Sequence, residues 1–164
     1  MEFMDVVRKR RSIRKYKKDP VPKKIILEVL EAARLAPSAG NRQPWHFVVV
    51  TDPETKNKLG LSPRAAEAPV VIVGCGDSQA SSSWYGHDLM IAFEHLVLAA
   101  TNLGLGTCWM GQMGRDETIK RALGIPEHVK VIAATPLGYP DEEPGPRERK
   151  SLEEFVHWEH FQKP

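Results

Sequence analysis

The stretch "PKKIILEVLEAARLAPSAGNRQPWHFVVVT", residues 22–51, decides the fold, because its apolar pattern changes character twice. In its first part Ile26, Val29, Leu30 and Ala33 fall at i, i+3, i+4 and i+7, one buried face of a helix. Pro22 suits the first turn of that helix and Pro37 ends it. The last part, "HFVVVT", is an apolar, β-branched strand. Between them "APSAGNRQPW", residues 36–45, holds two prolines, a glycine, short polar and amide side chains and a tryptophan. A simple helix-to-strand connection needs fewer residues, so this loop is expected to hold something.

The same mixture continues in both directions. "MDVVRKR" reads as a short helix and "VVIVGC" as a second buried strand. "SSWYGHDLMIAFEHLVLAATNLG" reads as a long helix with a stripe of Leu89, Phe93, Leu96, Ala100 and Leu103, and Ala99 as a small packing neighbour. "GTCWMG" reads as one short strand, "RDETIKRALG" as a short helix stopped by Gly124, and "VKVIAATPLG" as a further strand. Helices and strands so mixed give an α/β sandwich around one sheet. The chain has 164 residues, which suits one domain with a proper core. From Asp141 onward it is polar and Pro-rich until "SLEEFVHWEHF", whose Leu152, Phe155, Val156, Trp158 and Phe161 require a docking surface on the body or on a partner chain.

Composition narrows the function classes. The chain is 41% hydrophobic and 27% charged, as soluble globular proteins are. No apolar run approaches a membrane span, and the N-terminus has no apolar signal core, so a cytoplasmic protein without a membrane partner is expected. Cys75 and Cys108 have no metal-ligand neighbours; they fit a reducing compartment and are expected in buried strands. "RKRRSIRKYKK", residues 8–18, carries eight basic and no acidic side chains. That exceeds the net charge of +2, so the rest of the chain is net acidic and the cluster points to a local anionic partner. Tyr16 is the one aromatic in the cluster, and nucleic acid is not expected, because base-stacking platforms interleave aromatics with the charges. Ser12 among the arginines suits a bound phosphate.

There is no GxGxxG, no P-loop, no HExxH and no GxSxG, and the six histidines lack ligand spacing, so no metal site is expected. No nucleophile stands beside a base; an enzyme of this kind relies on a cofactor. Three features together serve a flavin mononucleotide. Arg10, Arg11, Ser12 and Arg14 offer charge and a hydroxyl, with Arg147 and Arg149 as a late basic pair. Residues 37–43 offer backbone groups and the amides of Asn41 and Gln43. "GLGTCWMG", residues 104–111, has little side-chain bulk and lets backbone N–H groups approach a planar ring.

In this order, "RRSIRKY", "APSAGNRQPWHFVVV", "APVVIVGCGD", "LAATNLGLGTCWMG" and "PRERKSLEEFVHW" resemble the FMN-dependent nitroreductase family over nearly the whole chain, as a small, minimal-length member. The resemblance implies one domain over residues 1–164 of α+β class, a central mainly antiparallel sheet flanked by helices. It also implies a homodimer in which a C-terminal arm, about 141–164, is exchanged between subunits. It implies FMN, with Arg10, Arg11, Ser12 and Arg14 on the phosphate and ribityl chain, and Arg147 and Arg149 returning to the phosphate. Pro37, Ser38, Ala39, Asn41 and Gln43 would meet the isoalloxazine from the other subunit, and Met110, Gly111 and Gln112 would pass the flavin N5. The implied reaction takes hydride from NAD(P)H and reduces nitroaromatics, quinones or related acceptors, with no side chain as obligate acid, base or nucleophile. Free-flavin reduction, dehalogenation and a non-enzymatic FMN-binding redox protein are the alternatives. The linkers that cover the active site in larger relatives are short here, and Arg64 is the one candidate for a cation near the ring.

Overall fold

The computed structural model describes residues 1–114 and 116–161. Helix α1 spans Phe3–Lys9 and α2 spans Lys23–Arg34; β1 follows at Trp45–Val50, after a single 3₁₀ turn at Ala39–Asn41. Two short helices, α3 at Pro53–Lys58 and α4 at Pro63–Ala66, lead to β2 at Val70–Asp77. The long helix α5 runs Tyr85–Asn102, then come β3 at Gly106–Thr107, β4 at Met110–Gly111, α6 at Glu117–Leu123 and β5 at Val129–Gly138. The strand order is β1-β2-β5-β3, with β4 also on β5, and every pair of strands is antiparallel.

Alternation along β2 explains its unbroken apolar run. Val70 and Ile72 face the core under α2 and α5, with Phe93, Leu96 and Leu137. Val71, Val73 and Cys75 face a second core with Leu59, Ile119 and Val131. A strand covered on both faces needs apolar side chains at every position. The helical stripes behave as their spacing indicates. Ile26, Val29 and Ala33 are buried on α2, and Leu89, Phe93, Leu96 and Ala100 on α5.

One local reading is corrected. "GTCWMG" forms two strands, because the register that pairs Thr107 with Leu137 and Met110 with Ala134 sets Cys108 opposite Pro136, which has no N–H for the ladder. The Cys108 N–H donates to the Thr135 hydroxyl at 3.0 Å. Cys108 is therefore half-buried between strands, whereas Cys75 is buried in β2. Residues 51–67, for which the sequence pattern shows no helical period, carry the short helices α3 and α4; Asp52 caps α3 by accepting from Thr55 N at 2.7 Å. Buried Lys56 ties α3 to the start of β2 through the Ala68 carbonyl at 2.5 Å. Of the two docking surfaces expected for the apolar groups near the C-terminus, the body of this chain does not supply one. Leu152, Trp158 and Phe161 are 70%, 76% and 80% exposed. No helix among the described residues is long and apolar enough to cross a membrane.

The N-terminal segment is stitched to the sheet. Ile13 N–H donates to Thr107 O at 2.8 Å, and Ser12 bridges Thr107 in parallel. Gly106 makes this approach feasible, since a Cβ there would lie 2.7–2.8 Å from the Ile13 side chain. Gly106→Ala is expected to destabilise the fold by about 1–3 kcal/mol, as overpacking does. Urea unfolding measures this, and an unchanged midpoint would show that Ile13 yields freely.

Candidate functional site

The two basic regions, remote in sequence, are brought together by backbone pairing. Tyr16 bridges Pro140, Lys17 N–H donates to Tyr139 O at 2.9 Å, and Asp141 N–H to Lys15 O at 3.0 Å. Glu142 Oε1 accepts the backbone N–H groups of Arg14 and Lys15. The chain beyond Glu142 then passes the residues before Ile13. Between them lies a cavity of 510 Å³ whose walls carry Arg8, Arg10, Arg11, Ser12 and Arg14 on one side and Gly145, Arg147 and Arg149 on the other. No acidic side chain among the described residues lines it.

Arg11 has a structural task as well. Its Nη1 donates to the carbonyls of Arg8 and Arg10 at 2.6 and 2.9 Å, at the C-terminus of α1. Its Nε is buried and has no partner among the described residues. A buried cationic donor without an acceptor is costly, and an anion in the cavity would remove that cost. A phosphate therefore fits this donor set.

Arg14 also lines a second cavity of 510 Å³, together with Ile13, Tyr16, Arg64, Cys108 and Met110. Pro63, Ala65 and Pro136 add apolar wall. The Tyr16 hydroxyl donates to Ile13 O, and burial pushes its pKa well above the usual phenol range, so it stays neutral. Arg14 and Arg64 are the cations of this cavity. Beside it, Gln112 N–H points inward to Ile132 O at 2.9 Å. N–H direction alternates along a strand, so Gly111 aims its N–H outward from the sheet edge, and a Cβ there would meet nothing within 4 Å. A cavity lined by arginines thus adjoins a mostly apolar one with two cations and an exposed backbone donor.

The loop at 37–43 lines neither cavity. Ser38 Oγ accepts Gln43 N–H at 3.0 Å, Asn41 N–H donates to Ser38 O at 2.9 Å, and Ala39 N–H donates to Asp88 Oδ1 at 3.0 Å. Most of its backbone donors are thus already taken. Of its two side-chain amides, Gln43 gives its Nε2 to Asn41 O at 3.2 Å, so it is not wholly free. The structure therefore gathers Arg10, Arg11, Ser12, Arg14, Arg147 and Arg149 in the first cavity and places Met110 in the second, with Gly111 and Gln112 following on the strand. Pro37, Ser38, Ala39, Asn41 and Gln43 stand apart in the same chain. Sequence reasoning passed over Arg8, Gly145, Ile13, Cys108 and Asp88 as site residues. "PGPRERK" carried a signal for Gly145, whereas nothing local marks Asp88. Trp109 is divided in role, packed edge-on against Phe93 with centroids 4.5 Å apart yet 37% exposed.

A sequence profile of the Nitroreductase family matches residues 7–66 and 56–139. A candidate NADH dehydrogenase/NAD(P)H nitroreductase of Methanothermobacter thermautotrophicus is 41% identical over 157 residues, covering 90% of this chain and 82% of its own. An NADH dehydrogenase of Thermus thermophilus is 36% identical over 191 residues, covering 92% of each chain. The structure of an FMN-dependent nitroreductase from Clostridium difficile R20291 superposes with a TM-score of 0.89 at 33% identity, over 96% of this chain and 99% of that one.

The first cavity is expected to bind inorganic phosphate, measured by isothermal titration calorimetry. Arg10→Ala and Arg147→Ala should each weaken it about tenfold or more, the scale of a charge-assisted bond. Lys18→Ala, outside the cavity, should leave binding within about twofold. Equal losses from all three would mean a diffuse basic surface.

Proposed function

The chain belongs to the nitroreductase family, and from that premise we propose that it is an FMN-dependent oxidoreductase that takes hydride from NAD(P)H and reduces small aromatic or quinone-like acceptors. The observation that carries this reading is the pair of cavities joined at Arg14, one for an anion and one for a flat apolar ring. FMN, when bound, supplies the hydride chemistry. Arg10, Arg11, Arg14, Arg147 and Arg149 neutralise its phosphate, and the Ser12 hydroxyl adds a hydrogen bond. Met110 and Pro136 give the ring an apolar wall and exclude water, while Gly111 offers its outward N–H to the ring edge. Arg64 and Arg14, the cations of the second cavity, would stabilise the negative charge that reduction puts on the ring.

The working unit we propose is a homodimer. The amide-bearing loop at 37–43 lies away from its own chain's cavities, so a second copy is needed to bring it to the ring. An apolar groove of 450 Å³ between α1, α2 and α5, lined by Phe3, Leu35, Leu98 and Ala99, also lacks a partner in one chain. The exposed Leu152, Phe155, Trp158 and Phe161 are the kind of groups an obligate interface buries. The two unpaired cysteines accord with work in the reducing cytoplasm.

The reading is tested with the purified protein. It should be yellow, with a flavin spectrum that NAD(P)H bleaches under anaerobic conditions and that a quinone or nitroaromatic restores. A colourless protein that takes up no FMN would overturn the reading, and bleaching without reoxidation by any acceptor would leave only a binding protein. Two quantitative outcomes accompany it. Arg64→Ala should lower the flavin midpoint potential by roughly tens of millivolts, where ~30 mV is a tenfold change for two electrons; spectroelectrochemistry measures this. Deleting residues 151–164 should weaken dimerisation and FMN retention together in sedimentation experiments. A truncated chain that stays dimeric and fully loaded would confine the tail to decoration.

A further inference from the structure

Asp88 stands in the first turn of α5 and is 3% exposed. A carboxylate so shut off from water needs partners. Its Oδ1 accepts the N–H of Ala39 at 3.0 Å. Its Oδ2 is equally buried and has no hydrogen-bond partner among the described residues.

The loop that Asp88 holds has an uncommon backbone. Gly40, Asn41 and Gln43 have φ of 57°, 54° and 48°, the left-handed region. Glycine adopts it freely and asparagine tolerates it, but glutamine has no such excuse. Such conformations persist only where the surroundings over-determine them. The bonds that Gln43 donates to Ser38 Oγ and Asn41 O tie the loop to itself. Among the described residues, Ala39 to Asp88 is the one hydrogen bond that ties residues 38–43 to another element.

We propose that Asp88 is the positioning residue of this loop: its bond to Ala39 sets where the Asn41 and Gln43 amides stand against the flavin ring held by the partner protomer. The inference rests on the proposed function above. Asp88 touches neither substrate nor cofactor and acts only through the loop.

The test uses the full chain, with Asp88→Asn, Asp88→Ala and Ala39→Pro. Ala39→Pro removes the donor and leaves the carboxylate in place. Proline suits the first position of a helical turn, and Ser38, at φ −143° and ψ 155°, already has the extended conformation that precedes proline. The readouts are the FMN dissociation constant, the visible circular dichroism of the bound flavin, kcat and KM for a quinone acceptor, and the melting temperature. Asp88→Ala should raise the FMN dissociation constant about tenfold, alter the flavin dichroism and raise KM more than it lowers kcat. Asp88→Asn keeps an acceptor for Ala39 and should recover most of this. Ala39→Pro should reproduce Asp88→Ala, and the double variant should be no worse than either single one, as expected for two ends of one bond. If Asp88→Ala does not fold, Ala39→Pro decides. A lowered melting temperature with unchanged FMN affinity, dichroism and KM would make Asp88 merely structural and overturn the proposal. So would an Ala39→Pro protein that behaves as wild type. A wild-type protein that binds no FMN would overturn the proposed function and this inference together, whereas unaltered variants of an FMN-loaded wild type overturn the inference alone.

Discussion

The N–H of Ile13 donates to Thr107 O at 2.8 Å, and the segment that follows pairs with Tyr139 to Asp141. These few backbone bonds hold the first basic cluster on the edge of the sheet and the last basic cluster beside it. Six arginines around one cavity repel one another, and charge alone would scatter them. What keeps them facing is a ladder that has no charge, reinforced by Glu142 accepting the Arg14 and Lys15 backbone N–H groups. The gathering of arginines is thus a consequence of strand pairing, with Gly106 supplying the clearance that pairing needs.

The sheet itself rests on β2 and β5, which are buried on both faces and pair over eight positions. Their pairing shifts register once, between Gly74 and Cys75, and a second irregularity lies on the other side of β5. Pro136 has no N–H to give to Cys108, the edge strand is divided into β3 and β4, and the Cys108 N–H donates to the Thr135 hydroxyl. The break leaves Cys108 and Met110 on the wall of the ring-sized cavity and frees the outer edge of β4. A small defect in a stable ladder therefore shapes the place where chemistry would occur, a common use of irregular sheet edges.

The loop at 37–43 shows the opposite economy. Its bonds are mostly internal, its backbone is left-handed at Asn41 and Gln43, and one buried carboxylate joins it to α5. It is tied to itself yet lines neither of the two cavities described in its own chain, which is intelligible when its ligand belongs to a second protomer. The exposed aromatics near the C-terminus carry the same implication from another part of the chain.

Much of this was legible in the sequence. Period and burial share a cause, so the positions of Ile26, Val29 and Ala33, or of Leu89, Phe93 and Leu96, announced the helices and their buried faces. Continuous β-branched runs announced β1, β2 and β5, and the arginine-serine cluster announced an anion. Other features depended on which distant residues meet. α3 and α4 are shorter than the window in which a helical period shows, although Asp52-Pro53 and Ser62-Pro63 marked their starts. The break at Cys108 depended on Pro136 lying opposite, which register alone decides. Asp88 was an unremarkable acid in a helix until folding buried it against Ala39, forty-nine residues earlier. The sequence by itself determined the longer helices and strands, the family and the clustering of basic side chains, because these are written in local spacing and composition. Only the tertiary structure decided which arginines share a cavity, that Arg64 joins Arg14 beside the ring-sized space, and which carboxylate holds the loop, because pairing across long separations carries no local signature.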